Sequence, residues 1–331
     1  MPLMFSVFEI TPIHWVCFVA LVLVLLALDL GVFHRKAREV SFKEAIGWTT
    51  AWFLLAMGFT AGLVPARGKE EALEFLTGYL IELSLSMDNV FVIALIFGYF
   101  KVPQHLQHRA LFWGILGALV MRGIMIGCGA QLVARFHWIL YIFGAFLVVT
   151  GIKMLFSSGE GEDPRENFVV RKARAFFPVT KDFVGQSFFV SGPADMAKYV
   201  AEPRPNSFCK NLALTPLGLV LIMVETTDLI FAIDSIPAIF AVTQKPFIVF
   251  TSNVFAILGL RSLYFVLAGA IRYFRYLKAG LSFVLIFIGV KMLLEILSVK
   301  IRSEISLSVV VGILLVSILA SWFAAIREKA R

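Results

Sequence analysis

One apolar stretch that contains three carboxylates constrains the fold of this chain more than any other feature. Residues 217–242 are apolar and long enough to cross a bilayer, which takes about 20 residues, yet they include Glu225, Asp228 and Asp234. A carboxylate at the centre of a bilayer costs about 3 kcal/mol on insertion scales. Three in one span favour a functional site, in which the acids face a wet cavity, a cation or each other. The alternative is that they pair with Arg or Lys of neighbouring helices and only hold the bundle together.

A second apolar stretch repeats this pattern. Residues 78–100 contain Glu82, Asp88 and Asn89. The two acids have the same spacing as the last two acids of the first stretch. The repetition indicates that both helices contribute to one site.

The spacing of the polar residues predicts which of them share a helix face. An α-helix turns by about 100° per residue, so residues seven apart lie about 20° from the same face. One stripe then holds Glu82, Ser86 and Asn89, and the other holds Asp228 and Ser235. The second acid of each pair points roughly 120° away from the first. Each helix therefore presents oxygen atoms over a broad sector, which suits closure around an ion better than a single salt bridge.

Composition places the chain among polytopic membrane proteins. It has 331 residues, of which 60% are hydrophobic and 16% charged, well outside the usage of soluble proteins. The net charge of +8 does not indicate a nucleic-acid partner, because the basic residues lie in short loops between apolar spans. Most of them fall in alternate loops, which predicts an N-terminus outside the cell and a cytoplasmic C-terminus.

Nine transmembrane spans are predicted, so the expected fold class is an all-α polytopic membrane protein. The spans cover residues 13–33, 45–64, 75–99, 109–131, 137–156, 215–241, 246–270, 278–297 and 305–324. Five segments follow: two flanking helices in 1–72, a first half of three helices in 73–156, a cytoplasmic loop in 157–214, a second half of three helices in 215–297, and a C-terminal helix and tail in 298–331. The loop is assigned no chemistry.

The two halves resemble each other in the order of their charged residues. After its acidic helix, each half has a span with an arginine, Arg122 or Arg261, and then one that ends in a lysine, Lys153 or Lys291. Three spans separate the copies, so equivalent helices enter the membrane from opposite sides. Such an inverted-topology repeat is typical of secondary transporters and places substrate and coupling-ion sites between the halves, near the bilayer midplane.

The acidic helices offer carboxylates, an amide and hydroxyls, without His or Cys. These oxygen donors suit Mn²⁺, Ca²⁺ and Mg²⁺, whereas zinc and copper favour imidazole and thiolate. Arg122 and Arg261 have two interpretations. Each is either a cation that pairs with the acids when the metal has left, or one half of a fixed salt bridge or an interfacial contact. The second role is slightly favoured.

Sequence motifs for other chemistries are missing. The chain has no P-loop, nucleophile elbow or HExxH motif, so neither an ATP-driven pump nor an intramembrane hydrolase is predicted. We predict no enzymatic activity and no resident cofactor. The expected partners are a divalent metal ion as substrate and the lipid bilayer, and the sequence indicates neither nucleic acid nor a protein partner.

Several motifs resemble those of the TerC family of bacterial integral membrane proteins, and the length and long middle loop are closest to its Alx-type branch. The motifs are ELSLSMDNVFV, VETTDLIFAIDSIPAIFAVT, LALDLGVFHRKAREVSFKEA and NFVVRKARAFFPVT. The resemblance implies a manganese(II) exporter of the inner membrane, grouped by fold with the LysE-type transporter superfamily. It also implies two older phenotype labels, tellurite resistance and redox modulation.

The resemblance also assigns a metal site, position by position. The acidic motif residues of the family fall on Glu82, Asp88, Asn89, Glu225, Asp228 and Asp234. The secondary candidates are Asp29, which matches the acid of the family's first span, together with Ser86, Ser235, Arg122 and Arg261.

The expected mechanism is alternating access around one divalent-cation site where the acidic helices cross. Adjacent carboxylates cannot all stay ionised without a cation, so we expect metal release to be coupled to protonation, as in a metal/proton antiporter. The competing hypothesis is a structural or regulatory membrane protein. In that case the buried acids form ion pairs with Arg122 and Arg261, and nothing is transported.

Overall fold

The computed structural model describes residues 10–31, 42–136, 138–156, 171–173, 176–191, 212–270, 276–294, 299 and 301–329. The helices within these ranges are α1 (Pro12–Gly31), α2 (Phe42–Arg67), α3 (Lys69–Tyr99), α4 (Gln104–Arg135), α5 (Ile139–Phe156), α6 (Pro216–Phe240), α7 (Pro246–Leu258), α8 (Leu260–Ala270), α9 (Leu277–Leu294) and α10 (Ser303–Lys329). Two short strands are β1 (Phe189–Ser191) and β2 (Leu212–Leu214). The prediction of an all-α polytopic membrane protein is confirmed.

The number of supported spans is smaller than the nine predicted. Among the described residues, six helices are long and apolar enough to cross a membrane: α2, α3, α4, α5, α6 and the Ser303–Ala324 part of α10. The apolar part of α1, Pro12–Leu28, is shorter. The span predicted over 246–270 is bent by 43° where α7 meets α8. Gly259 lies at this bend, and glycine weakens a helix interior. Counting that bent pair as one span gives seven.

Helix α3 is the central helix of the bundle. In its most apolar 18-residue stretch, 59% of the residues are buried, whereas 17% are buried in the corresponding stretches of α2 and of α10. The surrounding helices turn large apolar side chains outward, including Val16, Leu54 and Val316, each more than half exposed. Soluble proteins rarely expose such extensive apolar surface, so these faces suit lipid. Polar side chains collect instead where α3, α4 and α6 meet.

Glycines allow α5 and α9 to pack closely. A Cβ at Gly289 would lie 2.6 Å from the carbonyl oxygen of Gly144, and a Cβ at Gly144 would lie 3.1 Å from that of Gly289. Farther along α5, a Cβ at Gly151 would lie 2.9 Å from the carbonyl oxygen of Ser282. Residue numbers rise on one helix as they fall on the other, so α5 and α9 are antiparallel. Small residues let membrane helices approach in this way.

The two predicted halves interlock through their first two helices. Gly114 and Gly129 of α4 face Val224 and Phe240 of α6, so these helices run parallel. Helix α3 packs in turn against α7. The first helix of each half therefore contacts the second helix of the other half.

The described part of the middle loop covers the start of α6. Strands β1 and β2 pair in antiparallel fashion, with Val190 opposite Ala213. Thr215 caps α6, because its hydroxyl accepts from the Gly218 N–H at 3.1 Å and donates to the Ser187 carbonyl at 2.7 Å. Capping of this kind satisfies a free backbone donor of the first turn and fixes the loop to the helix that carries three acids.

We expect Gly289→Ala to lower the thermal unfolding midpoint by about 3 °C or more, because the added methyl group would push α9 away from α5. Gly312→Ala on α10 is the matched control, since a Cβ there meets no atom within 4 Å and alanine is the better helix former by about 1 kcal/mol. Size-exclusion chromatography of heated, detergent-solubilised protein measures both. Equal midpoints for the two variants would contradict the close α5–α9 crossing.

Candidate functional site

A buried arginine joins the two acidic helices. Arg122 of α4 is only 2% exposed, and its guanidinium extends between α3 and α6. Its Nε and Nη2 donate to the two carboxylate oxygens of Asp228 at 3.1 and 2.8 Å, while Nη1 donates to Glu82 Oε1. Bidentate, charge-assisted hydrogen bonds are stronger than neutral ones. One positive charge thus holds two carboxylates.

The polar stripes predicted on α3 and α6 meet at this arginine. Ser86 donates to Glu82 Oε1 at 3.3 Å, and Asn89 Nδ2 donates to Asp228 Oδ1 at 2.6 Å. Ser235 accepts a 3.4 Å hydrogen bond from the guanidinium. The side chains that surround the guanidinium are all buried, namely Glu82, Ser86, Asn89, Asp228 and Ser235. The face-sharing predicted from helical periodicity therefore matches the contacts.

Two oxygen atoms at the site have no hydrogen-bond partner within the described residues: Glu82 Oε2 and Asn89 Oδ1. An unsatisfied buried acceptor costs about 1–3 kcal/mol, and a charged one costs more. In addition, the described contacts set one guanidinium against two carboxylates. Both features suit an additional proton or cation at this place.

A small cavity adjoins the hydrogen bond between Asn89 and Asp228. Its lining includes these two residues, Gly114 and Ala118 of α4, and Ile257 of α7. Its volume of about 10 Å³ is close to the least that holds one water molecule. The site is therefore closed in the conformation described.

Glu225 approaches the backbone of α4 at a glycine. A Cβ at Gly117 would clash with the Glu225 carboxylate, which is half-buried. Sequence analysis did not assign Gly117 to the site. The available signal was its place on the same helix as Arg122, in a segment rich in small residues, but its role depends on which residue of α6 faces it.

Four other predicted site residues take no part in the described hydrogen bonds of Arg122. Asp234 is half-buried on α6, and none of the described hydrogen bonds of Arg122 reaches it. Arg261 is 6% exposed and lies at the start of α8. The side chains of Asp29 and Asp88 lie outside the described residues, although their backbones belong to α1 and α3.

No three His, Cys, Asp or Glu side chains in the described ranges are arranged to hold a metal ion. The guanidinium of Arg122 occupies the position between Glu82 and Asp228 that a cation bound to both would take. The described site is thus closed by an arginine rather than open to an ion.

A second ion cluster, which sequence analysis missed, lies near the C-terminal end of α6. Lys245 Nζ is 3.3 Å from both Glu71 Oε1 and Glu74 Oε2 of α3, and Glu74 accepts from the Thr243 hydroxyl at 2.8 Å. Burial alone would lower the pKa of the Lys245 ammonium, but the charges of Glu74 and Glu71 outweigh burial and raise that pKa above its ordinary value. The charged lysine ties the loop after α6 to the start of α3.

We expect Arg122→Gln to cost about 3–5 kcal/mol of folding free energy, the usual penalty for breaking a buried ion pair, because Glu82 and Asp228 would lose their counter-charge. Arg135→Gln, at the exposed end of the same helix, is the control and should change stability little. Adding Asp228→Asn to Arg122→Gln should recover part of the loss. Unfolding measured in bicelles compares the three variants. An Arg122→Gln protein as stable as the control would contradict a stabilising ion pair.

Comparison with known proteins identifies the family of this chain. Residues 67–329 match the model described as "Integral membrane protein TerC family". The "Uncharacterized membrane protein STKORF319" of Myxococcus xanthus is 51% identical over 311 residues, which cover 94% of this chain and 92% of the relative. The "Putative membrane-bound redox modulator Alx" of Escherichia coli K12 is 46% identical over 335 residues, which cover 97% and 98%. No solved structure matches. This chain belongs to the TerC family of integral membrane proteins.

Proposed function

We propose that this protein is a secondary transporter that exports manganese(II) across the inner (plasma) membrane, by alternating access around a carboxylate site near the bilayer midplane. The observation that carries the proposal is the convergence of buried carboxylates from α3 and α6, with an amide and hydroxyls, on one locus. Ionisable residues inside membrane spans are costly and mark ion pathways. The N-terminus lies outside and the C-terminus in the cytoplasm, as the basic loops predict.

The donor set selects the class of substrate. The proposed metal ligands are Glu82, Asp88, Asn89, Glu225, Asp228 and Asp234. Carboxylate and amide oxygens suit hard divalent cations better than zinc or copper. The choice of manganese within that class follows from the resemblance to the TerC family.

An inverted repeat of spans 3–5 and 6–8, within a nine-span fold, gives the transporter two related halves. Two features support it. Helices α5 and α9 cross in antiparallel orientation, as the third helices of oppositely inserted halves would. In addition, moving each residue by the separation of the two span-ending lysines turns the contact between Gly144 and Gly289 into the observed contact between Ser282 and Gly151.

Arg122 acts as an internal cation that closes the site when no metal is bound. Glu82 and Asp228 are equivalent positions of the repeat, so Arg122 bridges one acid from each half. A divalent cation bound by both carboxylates replaces the guanidinium, which returns when the cation leaves. The acids are then never buried without positive charge, which would cost several kcal/mol. Arg261, the equivalent arginine, plays this part in the state that opens to the other side.

Proton exchange compensates the remaining charge. One guanidinium neutralises only one of two ionised carboxylates, so the metal-free site gains by taking up a proton. Manganese release is thereby coupled to protonation, and the protein works as a metal/proton antiporter.

A structural or regulatory role is the second candidate. This role is favoured by the bidentate pairing of Arg122 with Asp228 and by the hydrogen bond that Arg122 donates to Glu82. A core that does not move needs such compensation of its buried carboxylates. Relatives at 46% identity are named redox modulators, which fits a regulatory phenotype. In this alternative the ion pairs hold α3, α4 and α6 together and no ion passes.

Asp228→Asn separates the two functions. The variant keeps the side-chain shape and leaves Arg122 paired one to one with Glu82, so we expect a folded protein. We expect its manganese efflux from proteoliposomes to be slower by about tenfold or more, since even the outer partners of metal ligands change affinity 10–100-fold. Glu70→Gln, an exposed acid at the start of α3, should export at the wild-type rate. Absence of efflux from wild-type proteoliposomes, together with unfolding of Asp228→Asn, would favour the structural role instead.

A pH gradient tests the coupling. We expect manganese transport to accelerate when the compartment that receives the metal is the more acidic one, because protons then move against the metal. The measurement is the initial efflux rate with and without the gradient. A rate that ignores the gradient would remove proton coupling and leave export itself in place.

A further inference from the structure

Helix α7 carries a polar triplet in the middle of an apolar segment. Thr251, Ser252 and Asn253 are all fully buried. The hydroxyls of the first two donate to carbonyls of their own helix, those of Ile248 and Val249, at 3.3 and 3.1 Å. Neither Oδ1 nor Nδ2 of Asn253 has a hydrogen-bond partner within the described residues.

A buried amide without partners calls for a physical reason. An asparagine side chain offers two donors and two acceptor lone pairs, and nearly all buried polar groups in native proteins are satisfied. A leucine has the same number and branching of heavy atoms and carries no polar group that needs a partner. Packing alone therefore does not explain Asn253.

The position of Asn253 on α7 relates it to the acidic site. Three residues earlier, the ring of Phe250 faces Gly123 of α4, which adjoins Arg122. Four residues later, Ile257 lines the small cavity of the site. Residues three and four apart lie on one helix face, so Asn253 belongs to the face of α7 that is turned toward the site.

The proposed repeat gives a second, independent relation. Moving the repeat arginine of the first half onto that of the second half moves Gly114 onto Asn253. Gly114 lines the cavity beside Asp228, and the acid equivalent to Asp228 is Glu82, whose Oε2 also has no partner within the described residues. The pair formed by Gly114 of α4 and Asp228 of α6 thus corresponds to a pair formed by Asn253 of α7 and Glu82 of α3.

We propose that Asn253 is a substrate-binding residue, whose carbonyl oxygen joins Glu82 as a ligand of a hard divalent cation in the state that opens away from the Asp228 cavity. This inference rests on the proposed transport function. An amide oxygen is a neutral hard ligand of the kind found in calcium and magnesium sites. Since Gly114 offers no such oxygen, the two open states bind the cation with different ligand sets and hence different affinities.

Asn253→Leu tests the assignment. We expect the variant to be at least as thermally stable as the wild type, because the unpartnered amide is gone. Its affinity for Mn²⁺, measured by calorimetric titration in lipid nanodiscs, should fall by about tenfold or more. Thr251→Val is the control, because the hydroxyl that it removes donates, among the described residues, to a carbonyl of its own helix. This variant should bind Mn²⁺ as the wild type does.

Asn253→Asp provides the second variant. It keeps an oxygen ligand and adds a charge, so we expect tighter Mn²⁺ binding and a larger Mn²⁺-induced rise in unfolding temperature than in the wild type. Wild-type affinity in both Asn253 variants would overturn the assignment and leave the transport proposal standing. A wild-type protein that binds none of Mn²⁺, Mg²⁺ and Ca²⁺ would overturn the transport proposal and, with it, this inference.

Discussion

The burial of charge in a medium that does not solvate ions is the constraint on which the rest of this structure depends. Glu82 and Asp228 are almost without solvent contact, and carboxylates in such places need a compensating cation. Arg122 supplies it from a third helix. Its planar guanidinium presents donors in a fixed fork, so it can hold two carboxylates at once. The site consequently requires α3, α4 and α6 to meet at one level.

Close helix packing makes this meeting geometrically feasible. A Cβ at Gly114 would press on Val224 of α6, and one at Gly117 would clash with the Glu225 carboxylate. Lipid is as apolar as the side chains, so membrane helices gain little from hydrophobic association and depend on tight contact. The reciprocal contact of Gly144 with Gly289 holds α5 to α9 in the same manner. Small residues thus set the distances at which the charged residues interact.

The same ion pairs suit a permanent lock or an exchangeable site, and the unsatisfied atoms support the proposed exchangeable site. A static core satisfies its buried polar groups. Within the described residues, Glu82, Asn89 and Asn253 each retain an atom without a partner, and each provides an oxygen that can bind a hard cation. The proposed transport function accounts for those atoms as well as for the ion pairs, whereas the alternative of a permanent lock accounts for the ion pairs. The Lys245 cluster adds a polar tie between the loop after α6 and the start of α3.

The sequence by itself determined the helices and the faces of the polar residues. A long apolar run must form a helix in lipid, where each backbone group needs an internal partner, and the 3.6-residue period places Glu82 and Asn89 on one face. Only the tertiary structure decided the rest. Arg122 was identified, but its partners depend on how three helices cross. Within the described residues, the burial of Asn253 without a hydrogen-bond partner likewise depends on packing between segments far apart in the chain, which local periodicity does not encode.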